Sequence, residues 1–330
     1  MSLRLAHRII SQPVRITEAT APRFAEISRE RSMAAKGILR LSDTPVIIAD
    51  NVAIYYAESP QQEWAISGQD FACVAPPFET PWFVEWKEPG YMILPSGRVE
   101  TGVSGEVGSL FWSTGRAEFD AIRPLLSSTV SPSVLDQSRW LLWVVHFATV
   151  RGQAWLVPFW DVVFVGPLGE PLDYATVSEL NDDEVFREVE RGCIGRLHVT
   201  LLTLGFLHCK NVNRLDVSDE ECPSPKWCRR QRVPQLKYQV LQIDPSCGAN
   251  AGRGVRKTVG DRSGKALHIC RGHFAHYRED GGSRGLFGRG VFGTFWVPSH
   301  ARGSLKHGGV VSKYMVHPTN TREVVNGGAK

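Results

Sequence analysis

The sequence predicts an α+β, mainly β protein: an antiparallel, meander- or barrel-like body with one long helix, joined to a smaller basic β module. Three observations carry this expectation. Short aromatic and β-branched runs recur between Gly- and Pro-rich turns from residue 45 to residue 165. One apolar stripe of helical period crosses residues 182–208. The charge also reverses near residue 222: residues 223–330 hold 19 Lys plus Arg against 5 Asp plus Glu, a net of +14, whereas 19 bases and 29 acids before them leave −10. The net charge of +4 over 330 residues therefore hides two opposed parts. A chain of this length can bury more than one core, and 10% aromatic content with only 22% charged residues excludes disorder, collagen and coiled coil.

Residues 1–40 read as an N-terminal helical extension. A cap oxygen at Thr20, Pro22 in the first turn and Gly37 at the end mark a short helix, and the residues before it read as a frayed terminus, with an Arg-bearing transit peptide as the alternative. Residues 41–222 form the acidic β-rich body. VIIA (46–49), the pair Asp50-Asn51 and VAIYY (52–56) carry a hairpin signature. Further strands are expected at 71–75, 82–86, 91–94 before a Pro95-Ser96-Gly97 turn, and 109–112. The runs 140–150 and 154–165 make a strand pair broken at Arg151-Gly152. The long helix begins among the acids at 182–184, which suit the positive helix end, and buries Val185, Val189, Cys193, Leu197, Leu201, Leu204 and His208 on one stripe. Residues 223–330 form the basic module, with strands at 236–243, 265–273, 291–297 and 310–316 and a mobile loop at about 245–264.

The longest uncharged apolar run has about eleven residues, where a spanning helix needs nearly twenty, so no membrane segment is expected. Seven scattered cysteines suit reduced thiols in a cytoplasm.

Several phrases occur together: APPFETPWFVEW (75–86), FLHCKNV (206–212), RRQR (229–232) leading to the 236–243 strand, KALHICRGHF (265–274), LFGR (286–289) and GTFWVPSHARG (293–303). In this order they resemble a family of proteins encoded by bacteriophages, prophages and plasmids, to which no activity is assigned. The resemblance spans roughly residues 70–305 and is most specific at 265–303. It implies a mobile-element setting in a bacterial host and a β-rich carboxy-terminal module, and it carries no catalytic residue across.

Six of the ten histidines follow residue 267. Arg271 and His273, meeting His300 and Arg302, could share a pocket in which one imidazole takes a 2′-OH proton, the other protonates the leaving oxygen and the arginines neutralise the phosphorane charge, as in metal-independent RNA cleavage. The same groups could bind phosphates without cutting them, or be structural. Arg229, Arg230, Arg232, Arg256, Lys257 and Lys265, interleaved with rings such as Tyr277 and Trp296, suit single-stranded nucleic acid or RNA. The opposing reading is internal: the +14 part could dock on the −10 part, within one chain or between copies. Cys222 and Cys228 are spaced too widely for a standard zinc knuckle, so no metal is expected. Gly288-Arg-Gly290-Val-Phe-Gly293 matches the dinucleotide fingerprint in letters only, since a strand-like run follows it instead of a helix, and no cofactor is expected. The expected function is nucleic-acid binding through the basic module, with a ribonuclease or a non-catalytic interaction or virion-associated protein as alternatives.

Overall fold

The computed structural model describes residues 3–16, 22–41, 44–58, 71, 73–93, 99–115, 119–120, 123, 130–178, 183–217, 222–243, 266–270, 272–279, 291–297, 300–302 and 304–309. In chain order these form α1 (Leu5–Ser11), α2 (Pro22–Leu39), β1 (Val46–Ile48), α3 (Asp50–Glu58), β2 (Trp82–Ile93), β3 (Val99–Thr114), α4 (Pro132–Gln137), β4 (Trp140–Val150), β5 (Gln153–Val165) and β6 (Pro171–Ser178). There follow α5 (Asp183–Leu207), β7 (Val212–Asp216), α6 (Pro225–Gln231), β8 (Tyr238–Ile243), β9 (Ala266–Cys270), β10 (His273–Tyr277), β11 (Gly293–Val297), β12 (His300–Arg302) and β13 (Ser304–Gly309). The protein is β-rich, as expected.

The body is an open sheet rather than a barrel. Its eight strands run β6-β5-β4-β3-β2-β1-β8-β7. Strands β2 to β6 are an antiparallel meander, in which β4 and β5 are joined at Arg151-Gly152, both with positive φ, as a two-residue hairpin turn requires. Strand β1 lies parallel to both β2 and β8. Helices cover both faces of this sheet. On one, Val52, Ala53 and Tyr56 of α3 and Leu197, Leu201 and Leu204 of α5 pack on Trp82, Val84, Phe111, Leu142, Val144 and Val163. On the other, Leu5, Ile9 and Ile10 of α1, Ala35 and Leu39 of α2 and Cys228 of α6 pack on Val46, Ile48, Phe83, Leu110, Val145, Phe147 and Tyr238. Alternate residues along β1 and β2 thus enter different cores, the signature of strands buried on both sides.

Several expectations are corrected by this arrangement. The start of the chain is not frayed: Leu5, Ala6, His7, Ile9 and Ile10 are buried in α1, and Arg15 bridges β5 through bonds to Ala154 O and from Leu156 N. Residues 50–58 form α3 instead of the second arm of a hairpin, because Val52, Ala53 and Tyr56 recur at helical spacing against the sheet. The described residues of 71–75 form no strand. Above all, the charge reversal at 222 is no boundary in the fold. Cys222, Cys228, Val233, Leu236 and Tyr238 belong to the same core as α1, and β8 lies within the sheet, paired with β1 on one side and β7 on the other. The expected loop at 245–264 and strand at 310–316 lie outside the described residues.

A buried acid fixes α1. Its N-cap, Arg4, offers no side-chain acceptor, and instead Oε2 of Glu85, from β2, takes the amide of Ala6 at 2.8 Å. The Arg4 guanidinium stands 3.6 Å from the other carboxylate oxygen. Burial pushes the Glu85 carboxyl up to about 7; the Ala6 amide and Arg4 pull it down less strongly, while Glu106 and Asp50 push it up further. In the same layer the Tyr238 hydroxyl donates to Nδ1 of His7 at 2.6 Å, and burial lowers that imidazole to about 4.

The two groups oppose each other in pH. The folded Glu85 holds its proton more tightly than the unfolded chain does, so its stabilising contribution is full below about 4.5 and is lost as pH rises through about 7. His7 resists its proton, so its contribution is present above about 6.5 and is lost as pH falls through about 4. Glu85→Gln is expected to gain on the wild type by about 2–3 kcal/mol of unfolding free energy between pH 5 and pH 8, measured by chemical denaturation. An equal difference at both pH values would contradict it.

Candidate functional site

The clearest positive surface is α6. Ser224 caps it by accepting from the Trp227 amide at 3.2 Å, Pro225 occupies the first turn, and the helix stops where Arg232 turns left-handed at φ 55°. Cys228 is its buried anchor, with Sγ 4.0 Å from Nε2 of His7, and the edge of the Trp227 ring meets the His7 ring. With that side turned inward, Lys226, Arg229 and Arg230 stand exposed, and Arg232 and Lys237 continue the patch. Among the described residues no carboxylate lies within ion-pair distance of these five cations.

The histidine and arginine cluster is divided between two ladders. In one, His273 pairs with Val297 and Tyr277 with Gly293; in the other, His300 pairs with Cys270 and Arg302 with His268. The ladders keep one register on either side of residues 271–272 and 298–299, so neither histidine is the other's partner. His273 is exposed and Tyr277 half-buried, with its ring on Phe295. Arg256, Lys257, Lys265 and Arg271 lie outside the described residues. Trp296 offers no stacking surface: it is 5% exposed, wedged among Tyr55, Phe206 and Phe274. The β10–β11 ribbon is docked on the end of α5, where Asn211 imitates a strand neighbour by donating Nδ2 to Trp296 O at 2.8 Å and accepting the Trp296 amide at 2.9 Å. Gly293, last of the fingerprint-like glycines, opens β11 rather than a helix.

Three features escaped sequence reasoning. A cleft of about 520 Å³ opens between α2 and the sheet, lined by Arg31, Ala35, Leu110, Trp112 and Val145, with the Arg31 guanidinium 4.6 Å above the Trp160 ring. The second is a polar chain beneath α5. The Ser109 hydroxyl donates to Nδ1 of His146 at 2.8 Å, Nε2–H of His146 donates to Asp161 at 2.7 Å, and Thr176 and Thr200 complete it through Asp161 and Ser109. The residue types are those of a hydrolytic triad, but Ser109 and His146 are 0% exposed and Asp161 1%. No substrate reaches them, and they form a cross-strand tie over β3, β4, β5 and β6. The third is Cys73 with His208, 135 positions apart in sequence, brought together where the loop before β2 meets the end of α5. Among the described residues no three His, Cys, Asp or Glu side chains converge as metal ligands, and no helix is long and apolar enough to cross a membrane.

No protein family, curated protein or solved structure matches this chain.

Replacing Asp161 with Val strands the His146 N–H in a fully buried site and removes the acceptor of the half-buried Thr176 hydroxyl. It is expected to cost about 2–5 kcal/mol of unfolding free energy in denaturant titrations, whereas Ser109→Ala should cost about 1–2 kcal/mol.

Proposed function

We propose that this chain binds nucleic acid through the positive face of α6, in the cytoplasm of a bacterial host that carries a mobile element. The single observation behind the reading is the row Lys226, Arg229, Arg230, Arg232 and Lys237: five exposed cations on and beside a short, firmly anchored helix, with no acid among the described residues to neutralise them. This favours an outward-facing field over docking of the basic part on the acidic part. Arginines on a rigid backbone suit phosphate oxygens, which accept in the planar geometry of a guanidinium. With Trp296 buried, recognition rests on phosphates more than on stacked bases, and it is therefore independent of sequence and strongly dependent on salt. Cys73, Cys209, Cys222 and Cys228 are in no disulfide, which suits a reducing compartment.

Fluorescence anisotropy with labelled single-stranded RNA and DNA, from about 50 to 300 mM salt, tests this. Neutralising about five phosphates of a single strand predicts a log–log slope near −3.5. Lys226→Gln, Arg229→Gln and Arg230→Gln together should reduce that slope by about two and weaken binding at low salt at least tenfold. Arg232 is left in place because its backbone is left-handed. A wild type that binds neither polymer at the lowest salt, or a triple variant that binds unchanged, would overturn the proposal.

A further inference from the structure

The cleft between α2 and the sheet, about 520 Å³, has the size of a small-molecule pocket and plays no part in the nucleic-acid reading. Leu110 of β3 and Val145 of β4 form its apolar floor, and Ala35 of α2 borders it from above. Trp112 of β3 is its aromatic wall. This ring does not stand alone: Trp112 pairs across the strands with Trp143, the two indoles 6.2 Å apart and within 6° of parallel, and Trp143 meets Trp160 of β5 at 5.3 Å. Nε1 of Trp143 donates to Thr114 Oγ1 at 3.0 Å, which locks the middle ring. A row of three half-buried indoles is thus fixed across β3, β4 and β5, with its conformational cost already met before a ligand arrives.

One end of the row already holds a cation. The Arg31 guanidinium lies 4.6 Å over the Trp160 ring, where the negative face of an indole attracts positive charge. At the other end Trp112 lines the cleft, and two exposed carboxylates line it too: Glu30 of α2 and Glu79 of the loop before β2. Among the described residues no cation lies within ion-pair distance of either. An anion in the cleft would meet both acids as like charges, and an uncharged apolar molecule would leave them unused. A cation with an apolar body uses the floor, the ring and the acids together.

We infer that this cleft binds small organic cations that join an apolar body to a substituted ammonium group. The body rests on Leu110 and Val145, and the ammonium sits against the Trp112 ring in the field of Glu30 and Glu79. Burial of the body supplies affinity, and the ring and the acids supply the selection for positive charge. Because both carboxylates are exposed, that selection is modest, about tenfold over an uncharged molecule of the same shape, and it weakens as salt is added.

Isothermal titration calorimetry on the full chain, at about 50 mM salt, compares three probes of one skeleton: benzyltrimethylammonium, the uncharged dimethyl benzyl carbinol and the carboxylate benzyldimethylacetate. The ammonium should bind about tenfold more tightly than the carbinol, and the carboxylate most weakly. Glu30→Gln together with Glu79→Gln should weaken the ammonium about fivefold and leave the carbinol unchanged, which also shows that the variant is folded. Ala34→Trp, at an exposed position on the edge of the cleft, should fill it and abolish binding of the ammonium. An ammonium that fails to bind the wild type at about 10 mM overturns the inference, as does a carbinol or carboxylate that binds as tightly. So does either variant if it binds the ammonium as the wild type does. No polymer and no residue of α6 enters the experiment, so its outcome is independent of nucleic-acid binding.

Discussion

The strands at the centre of this sheet are buried on both faces, and that constraint organises the rest of the molecule. Val46, Ile48 and Phe83 point into one core while Ile47, Trp82 and Val84 point into the other, all of them 3% exposed or less. Each such side chain contributes about 1.5–3 kcal/mol only if its own face is covered. Neither face can be left to water. Helices α3 and α5 cover one; α1, α2 and α6, drawn from opposite sides of the charge reversal, cover the other. The acidic and basic parts of the sequence are therefore partners in one shared apolar core, and the reversal is a property of the surface.

Two polar networks sit within these apolar layers. Glu85 with Arg4 and Ala6, and His7 with Tyr238, hold α1 against β2 and β8. Ser109, His146 and Asp161, with Thr176 and Thr200, hold four strands in register beneath α5. Hydrophobic burial has no direction, whereas a buried donor without its acceptor costs about 1–3 kcal/mol. The networks thus penalise a slipped strand or a rotated helix that the apolar contacts alone would tolerate.

What could be read from the sequence follows from how local each signal is. Strands β4 and β5 announced themselves through long β-branched and aromatic runs around Arg151-Gly152, and the helical stripe of α5 through six apolar positions from Val185 to Leu204. The short helices did not, because α1 and α6 have seven residues each and α3 nine, too few for a period to stand out from an apolar run. The arginines of α6 were legible from composition alone. Trp296 was misjudged because an aromatic residue among cations looks the same in sequence whether it stacks on a base or on Phe206. Cys73 and His208 had no local signature at all; only the docking of one loop on a helix end makes them neighbours.

The position of β1 also governs when the sheet can be completed. This three-residue strand needs β2 on one side, which follows within about forty positions, and β8 on the other, which follows only after nearly two hundred. During synthesis at 5–20 residues per second, the edge of β1 that β8 will occupy stays open for roughly 10–40 s after β1 itself has emerged. A nascent chain in that interval exposes an unpaired strand edge and half of an apolar core. Folding is consequently tied to late chain growth, and chaperone engagement or misassembly between nascent chains should concentrate in the window before residue 243 appears.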